Sequence, residues 1–127
     1  MNDYMRDHNP KMGIIGSHHE RVSSILEMAQ GMEGRVGEVL GLLRDSEPKG
    51  DHQDSMGGSK RQFGYICHLA ELSLEEEHQF VSAIKEGGGL SMAQCHHLIT
   101  KLKERRREEK HREEKEIEEL ERLYAGA

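Results

Sequence analysis

Apolar residues recur at helical spacing in three blocks of this chain, separated by polar or glycine-bearing stretches. In the first block Val22, Ala29, Val36 and Leu43 fall seven apart, and Ile25, Met32 and Val39 each follow one of the first three by three residues. That heptad seam predicts an amphipathic, coiled-coil-like helix over residues 18–44, opened by Ser17 or His18. Leu26 and Leu40 widen its stripe to that of a bundle helix. Gly31, Gly34, Gly37 and Gly41 interrupt the pattern, and each costs about 1 kcal/mol against Ala in a helix interior. The helix therefore needs cover, either from its own chain or from a second helix brought close by the small residues. The seam Val22, Ile25, Ala29, Met32, Val36, Val39 and Leu43 is the expected oligomer interface.

The second block reads as a three-helix module over residues 60–104. Phe63, Ile66, Leu69 and Ala70 line one side of its first helix. Ser73 is placed to cap the second, with Glu76 at capping-box spacing and Glu75 and Glu77 at the positive helix end. Leu74, Phe80, Val81 and Ile84 point inward, and Gly87-Gly88-Gly89 stops the helix. Ser91 opens the third, whose stripe is Met92, Cys95, Leu98, Ile99 and Leu102. The module closes on its own small core. Residues 45–59 are polar, with Gly and Pro and no periodicity, and form a linker. Residues 1–17, with Asn9-Pro10, Gly13 and Gly16, form a flexible arm.

The third block continues the last helix without a stop, through residues 105–127. Arg105 with Glu109, Glu108 with Arg112, Lys110 with Glu114 and Arg112 with Glu116 are opposite charges at i, i+4, each worth a few tenths of a kcal/mol. Apolar residues return only at Ile117, Leu120, Leu123 and Tyr124. Charge is polarised along this helix: residues 101–112 carry seven cations against three glutamates, a net +4, whereas 113–123 carry two cations against six glutamates, a net −4. The dipole suits antiparallel pairing with a second copy. It also offers phosphates a basic patch at Lys101, Lys103, Arg105, Arg106, Arg107, Lys110 and Arg112. The whole is all-α: an N-terminal amphipathic helix, a flexible linker, a small three-helix module and a long charged C-terminal helix.

Composition narrows the function. At 127 residues, 34% hydrophobic and 4% aromatic, the chain is poor in the side chains that build a large core, so partners contribute burial. Its net charge of −6 argues against a globally basic nucleic-acid binder, and leaves local patches to decide. No apolar run of membrane or signal-peptide length occurs, so a cytoplasmic location is expected. The pairs His18-His19 and Cys67-His68 and the run Cys95-His96-His97 hold enough ligands for zinc in principle. Adjacent helical residues point about 100° apart and cannot chelate as a C-x-x-C knuckle does. Reduced core thiols and surface histidines are expected, with no metal and no cofactor. The nine histidines make association pH-sensitive near neutrality. Gly87-Gly88-Gly89 lacks the preceding strand and the Lys-Ser/Thr of a nucleotide loop. No nucleophile elbow is present either, so an enzyme is not expected.

The order of Ile66, Leu69 and Ala70, then an acidic helix, then Leu90, Ser91, Gln94, Leu98, Ile99 and Leu102 resembles the small helical modules of phage and mobile-element recombination and DNA-metabolism proteins, the GemA-like regulators among them. Cys95 stands where that pattern has Ala. The likeness covers residues 59–104 and carries no catalytic residue. It implies a non-enzymatic accessory protein associated with nucleic acid or with a nucleic-acid-processing complex. The alternative from the residues alone is a protein-interaction adaptor or small inhibitor docking on a larger machine.

Overall fold

A computed structural model describes residues 13–47 and 56–126. Residues 1–12 of the expected arm and 48–55 of the expected linker lie outside the described residues. The fold is all-α. In chain order come α1 (His18–Gln30), α2 (Arg35–Gly41), a 3-10 turn (Leu42–Asp45), α3 (Lys60–Leu69), α4 (Leu74–Glu86) and α5 (Met92–Ala125). Among the described residues no helix is long and apolar enough to cross a membrane.

Among the described residues, serine sets where four of the five α-helices begin. Ser17, Ser59, Ser73 and Ser91 each accept a hydrogen bond from the backbone N–H three residues on. At Ser59, Ser73 and Ser91 the residue three on, Gln62, Glu76 and Gln94, reaches back to the serine N–H at 2.9 Å and completes a capping box. Each such cap contributes about 1 kcal/mol.

The expected continuous helix over residues 18–44 is instead two helices and a 3-10 turn. Gly31 closes α1, and Gly34, at φ +86°, starts α2 from a backbone conformation that a side chain rarely tolerates. The break folds the second half back, so both halves of the heptad stripe face one core. Of the seven residues expected at an oligomer interface, Ile25, Val36, Val39 and Leu43 are buried within the same chain, and Val22, Ala29 and Met32 are half-buried. The own-chain core, and not a second copy, covers this seam.

Nor do the helices of residues 60–104 close on one another. The principal pairings are α3 along α5, and α4 against α1 and α2, with the 3-10 turn leaning on α5. The N-terminal helices thus complete the core that joins Phe63, Ile66, Phe80, Ile84, Leu90 and Leu98 to Ile25, Leu40 and Leu43. His97 adds a polar tie: its Nε2 donates to the Leu42 carbonyl at 3.0 Å, holding α5 to the 3-10 turn. Leu74, expected inward, is 74% exposed, because as the first residue after the Ser73 cap it precedes the turn that meets the core. Val81 is half-buried.

Backbone contacts lock the corners. Gly58 N donates to Leu90 O and Met92 N to Met56 O, an antiparallel bridge that ties the start of α3 to the start of α5. Ile15 N donates to Gly88 O at 2.8 Å, so the described end of the arm is docked on the triple-glycine turn. Gly88 and Gly89 both have positive φ, and a Cβ on either would collide with the Ile15 or Gly13 carbonyl. Arg21 is buried beside this turn, with Nη1 donating to the Gly16 carbonyl and its aliphatic stem against Gly88.

Candidate nucleic-acid interface

The seven candidate cations stand on α5, and the way α5 leaves the core decides how they are presented. Cys95, Leu98 and Leu102 are buried and anchor its first three turns. From Lys103 to Gly126 every residue is exposed. At 1.5 Å per residue, about 35 Å of helix projects from the body.

Helical geometry divides the seven candidate cations into two sets. Lys103, Arg106, Arg107 and Lys110 are spaced i, i+3, i+4 and i+7 and fall within about 100° of one another, forming a ridge without an intervening glutamate. Lys101, Arg105 and Arg112 lie about 180° away, flanked by Glu108. The ridge spans about 10 Å of helix rise, comparable to three base-pair steps of 3.4 Å. The expected single patch is thus one continuous ridge and a separate opposite face.

Side chains of α3 shape the inner end of the ridge. Lys103 Nζ lies 5.4 Å from the centroid of the half-exposed Tyr65 ring, a cation–π contact that ties the side chain to α3. Arg106 Nη2 is 3.9 Å from Glu71 Oε1, with both side chains about half exposed, a weak screened pair. Glu71 is held there by its own backbone: it adopts φ +56° after α3, Leu72 N donates back to Cys67 O at 3.0 Å, and Arg35 Nη1 donates to Glu71 O at 2.7 Å. Phe63, one of two aromatics in the neighbourhood, is buried in the core, and Tyr65 already carries Lys103. The site offers cations and hydrogen-bond donors to a phosphate backbone, and no row of free rings on which bases stack.

Beside the ridge, where α5 emerges, is an open cleft of about 300 Å³ lined by Val39, Leu69, Leu102, Arg35, Arg105 and Arg106 among others. Val39, Leu69 and Leu102 close its floor and are themselves nearly buried, and its rim carries three guanidinium groups interleaved with the carboxylates of Glu38, Glu71 and Glu109. Glu71, Arg35 and Tyr65 were not singled out from the sequence. They reach α5 only through the packing of α2 and α3, and no spacing along the chain signals it.

The thiols are sequestered. Burial pushes Cys67 up to about 11, helped by the Glu77 carboxylate, and pushes Cys95 up to about 12. Neither supplies a thiolate near neutral pH. Among the described residues no group of three or more His, Cys, Asp or Glu is placed to hold a metal ion. No family model, curated protein or solved structure matches this chain.

Proposed function

We propose that this chain is a non-enzymatic, cytoplasmic accessory protein of nucleic-acid processing that grips a phosphate backbone with the Lys103–Arg106–Arg107–Lys110 ridge of α5. The ridge carries the reading: four cations on one face of a projecting helix, with Glu104, Glu108 and Glu109 turned to other faces and Glu114 closing the ridge at its outer end. The likeness of residues 59–104 to phage and mobile-element modules, including the GemA-like regulators, supports the same context. The net charge of −6 keeps the body from holding nucleic acid nonspecifically, so contact is confined to α5. Four phosphate contacts on duplex DNA correspond to a slope of about −3.6 in log K against log salt. Fluorescence anisotropy with duplex DNA, single-stranded DNA and RNA, titrated with salt, measures it. Absence of binding to all three at low salt contradicts the reading.

A protein-adaptor role is the second reading, and one observation favours it: Ile117, Leu120, Leu123 and Tyr124 are all more than half exposed at the tip of α5. Purification of the full chain from nuclease-treated extract with one stoichiometric protein partner and no nucleic acid supports that role over the first.

A further inference from the structure

Among the described residues, nothing packs on the apolar tip of α5. A projecting helix held by i, i+4 ion pairs does not need four large apolar side chains on its last two turns, and their exposure marks a contact surface. We infer that a second copy of this chain covers them: two α5 helices pair antiparallel, and the tip of each meets the cleft at the base of the other. This inference does not depend on the nucleic-acid reading.

Three observations converge on a second copy. The first is charge. Residues 101–112 carry +4 and 113–123 carry −4, so a parallel pair sets like against like along its length, whereas an antiparallel pair sets opposite blocks together twice. The second is rotation. At about 100° per residue, Ile117, Leu120 and Tyr124 fall on the same side of α5 as Leu102, Arg106 and Glu109, and those three line the cleft. One partner helix laid along that side meets both. The third is distance. Pairing centred where the two charge blocks join brings Leu120–Tyr124 of one copy to the level of residues 101–105 of the other, within a turn of the cleft. There a floor of Val39, Leu69 and Leu102, rimmed by Arg35, Arg105 and Arg106 and by Glu38, Glu71 and Glu109, faces an apolar tip flanked by Glu116 and Glu121, which are placed to pair with the guanidinium groups.

The centre of the phosphate ridge lies about 70° around the helix from this face and Arg106 belongs to both, so pairing draws Arg106 away from the ridge. Because the contact rests on a few apolar residues and on exposed charges, it is dissociable and weakens with salt.

Sedimentation equilibrium of the full chain, without nucleic acid, tests the inference. The expected mass is twice that of one chain at low salt and falls toward one chain near 1 M salt. Leu120→Asp with Leu123→Asp, both on exposed positions, keeps the helical content and removes the dimer. Arg105→Glu/Arg106→Glu and Glu116→Lys/Glu121→Lys are each single-chain alone and recover the double mass when mixed. For orientation, Glu113→Cys cross-links to itself under mild oxidation and Ala125→Cys does not, while the native Cys67 and Cys95 are buried and stay out of the reaction. A single-chain mass for the unaltered protein at about 100 µM in low salt, a dimer that survives Leu120→Asp/Leu123→Asp, or cross-linking at position 125 in preference to 113 overturns it.

Discussion

Glu71 turns the chain out of α3 at φ +56°, a left-handed conformation that costs a residue with a Cβ about 1 kcal/mol or more. Its carboxylate also lies beside Arg106, where it competes with any phosphate. Glu71→Gly relieves the backbone and removes the competing charge, while the Arg35 hydrogen bond to the backbone carbonyl is kept. Stability in urea is expected to rise by a few tenths to about 1 kcal/mol, part of the relief being offset by the added freedom of glycine in the unfolded chain. Anisotropy is expected to show tighter nucleic-acid binding; a loss on both measures contradicts this account of the turn. Glu76 sets an acid limit. Its carboxylate accepts the Ser73 N–H, the main reason its pKa is held below the ordinary 4.5; the Ser73 hydroxyl and Arg35 act in the same sense, and partial desolvation opposes. A carboxyl whose folded value is depressed stabilises the fold above the unfolded value and loses that contribution as pH falls through the folded one. Glu76→Gln keeps the acceptor but does not titrate, so its unfolding curves are expected to be flatter than those of the unaltered chain below about pH 4.5.

Among the elements, α3 and α2 show how differently one residue type behaves with its surroundings. Gly64, inside α3, has open space where a Cβ would stand, whereas a Cβ on Gly37 in α2 would lie 2.5 Å from the Met32 carbonyl oxygen. Gly64→Ala is expected to raise stability by about 0.5–1 kcal/mol through helix propensity, and Gly37→Ala to lower it; thermal unfolding of the two variants reads the difference. The same contrast explains what was legible in the sequence. Ser73 with Glu76, and Ser91 before an apolar stripe, announce their helices because caps are local chemistry. The heptad stripe from Val22 to Leu43 misleads because period 3.5 is equally satisfied by two short helices whose stripes converge on one core, and only the bend at Gly31–Gly34 distinguishes the cases. On α5 the cations and the polarity of charge were plain, and their division into a ridge and an opposite face follows from 3.6 residues per turn. The partners Glu71, Arg35 and Tyr65 were not legible, since they arrive by tertiary packing.

Across the whole molecule, a small acidic body carries one long charged helix. The core uses nearly every large apolar residue of the described segments, and what is left exposed is concentrated on α5: the ridge near the body and the apolar tip far from it. The claim that the ridge is the phosphate-binding face is tested most directly by comparing two variants of identical charge change, Arg107→Ala/Lys110→Ala on the ridge and Lys101→Ala/Arg112→Ala on the opposite face. Both are titrated with salt against the same duplex, below the concentration at which the chain pairs. The expected result is at least a tenfold loss of affinity and a slope shallower by about 1.8 for the ridge variant, with the opposite-face variant close to the unaltered protein. Equal losses for the two variants, or a larger loss from the opposite face, would contradict it.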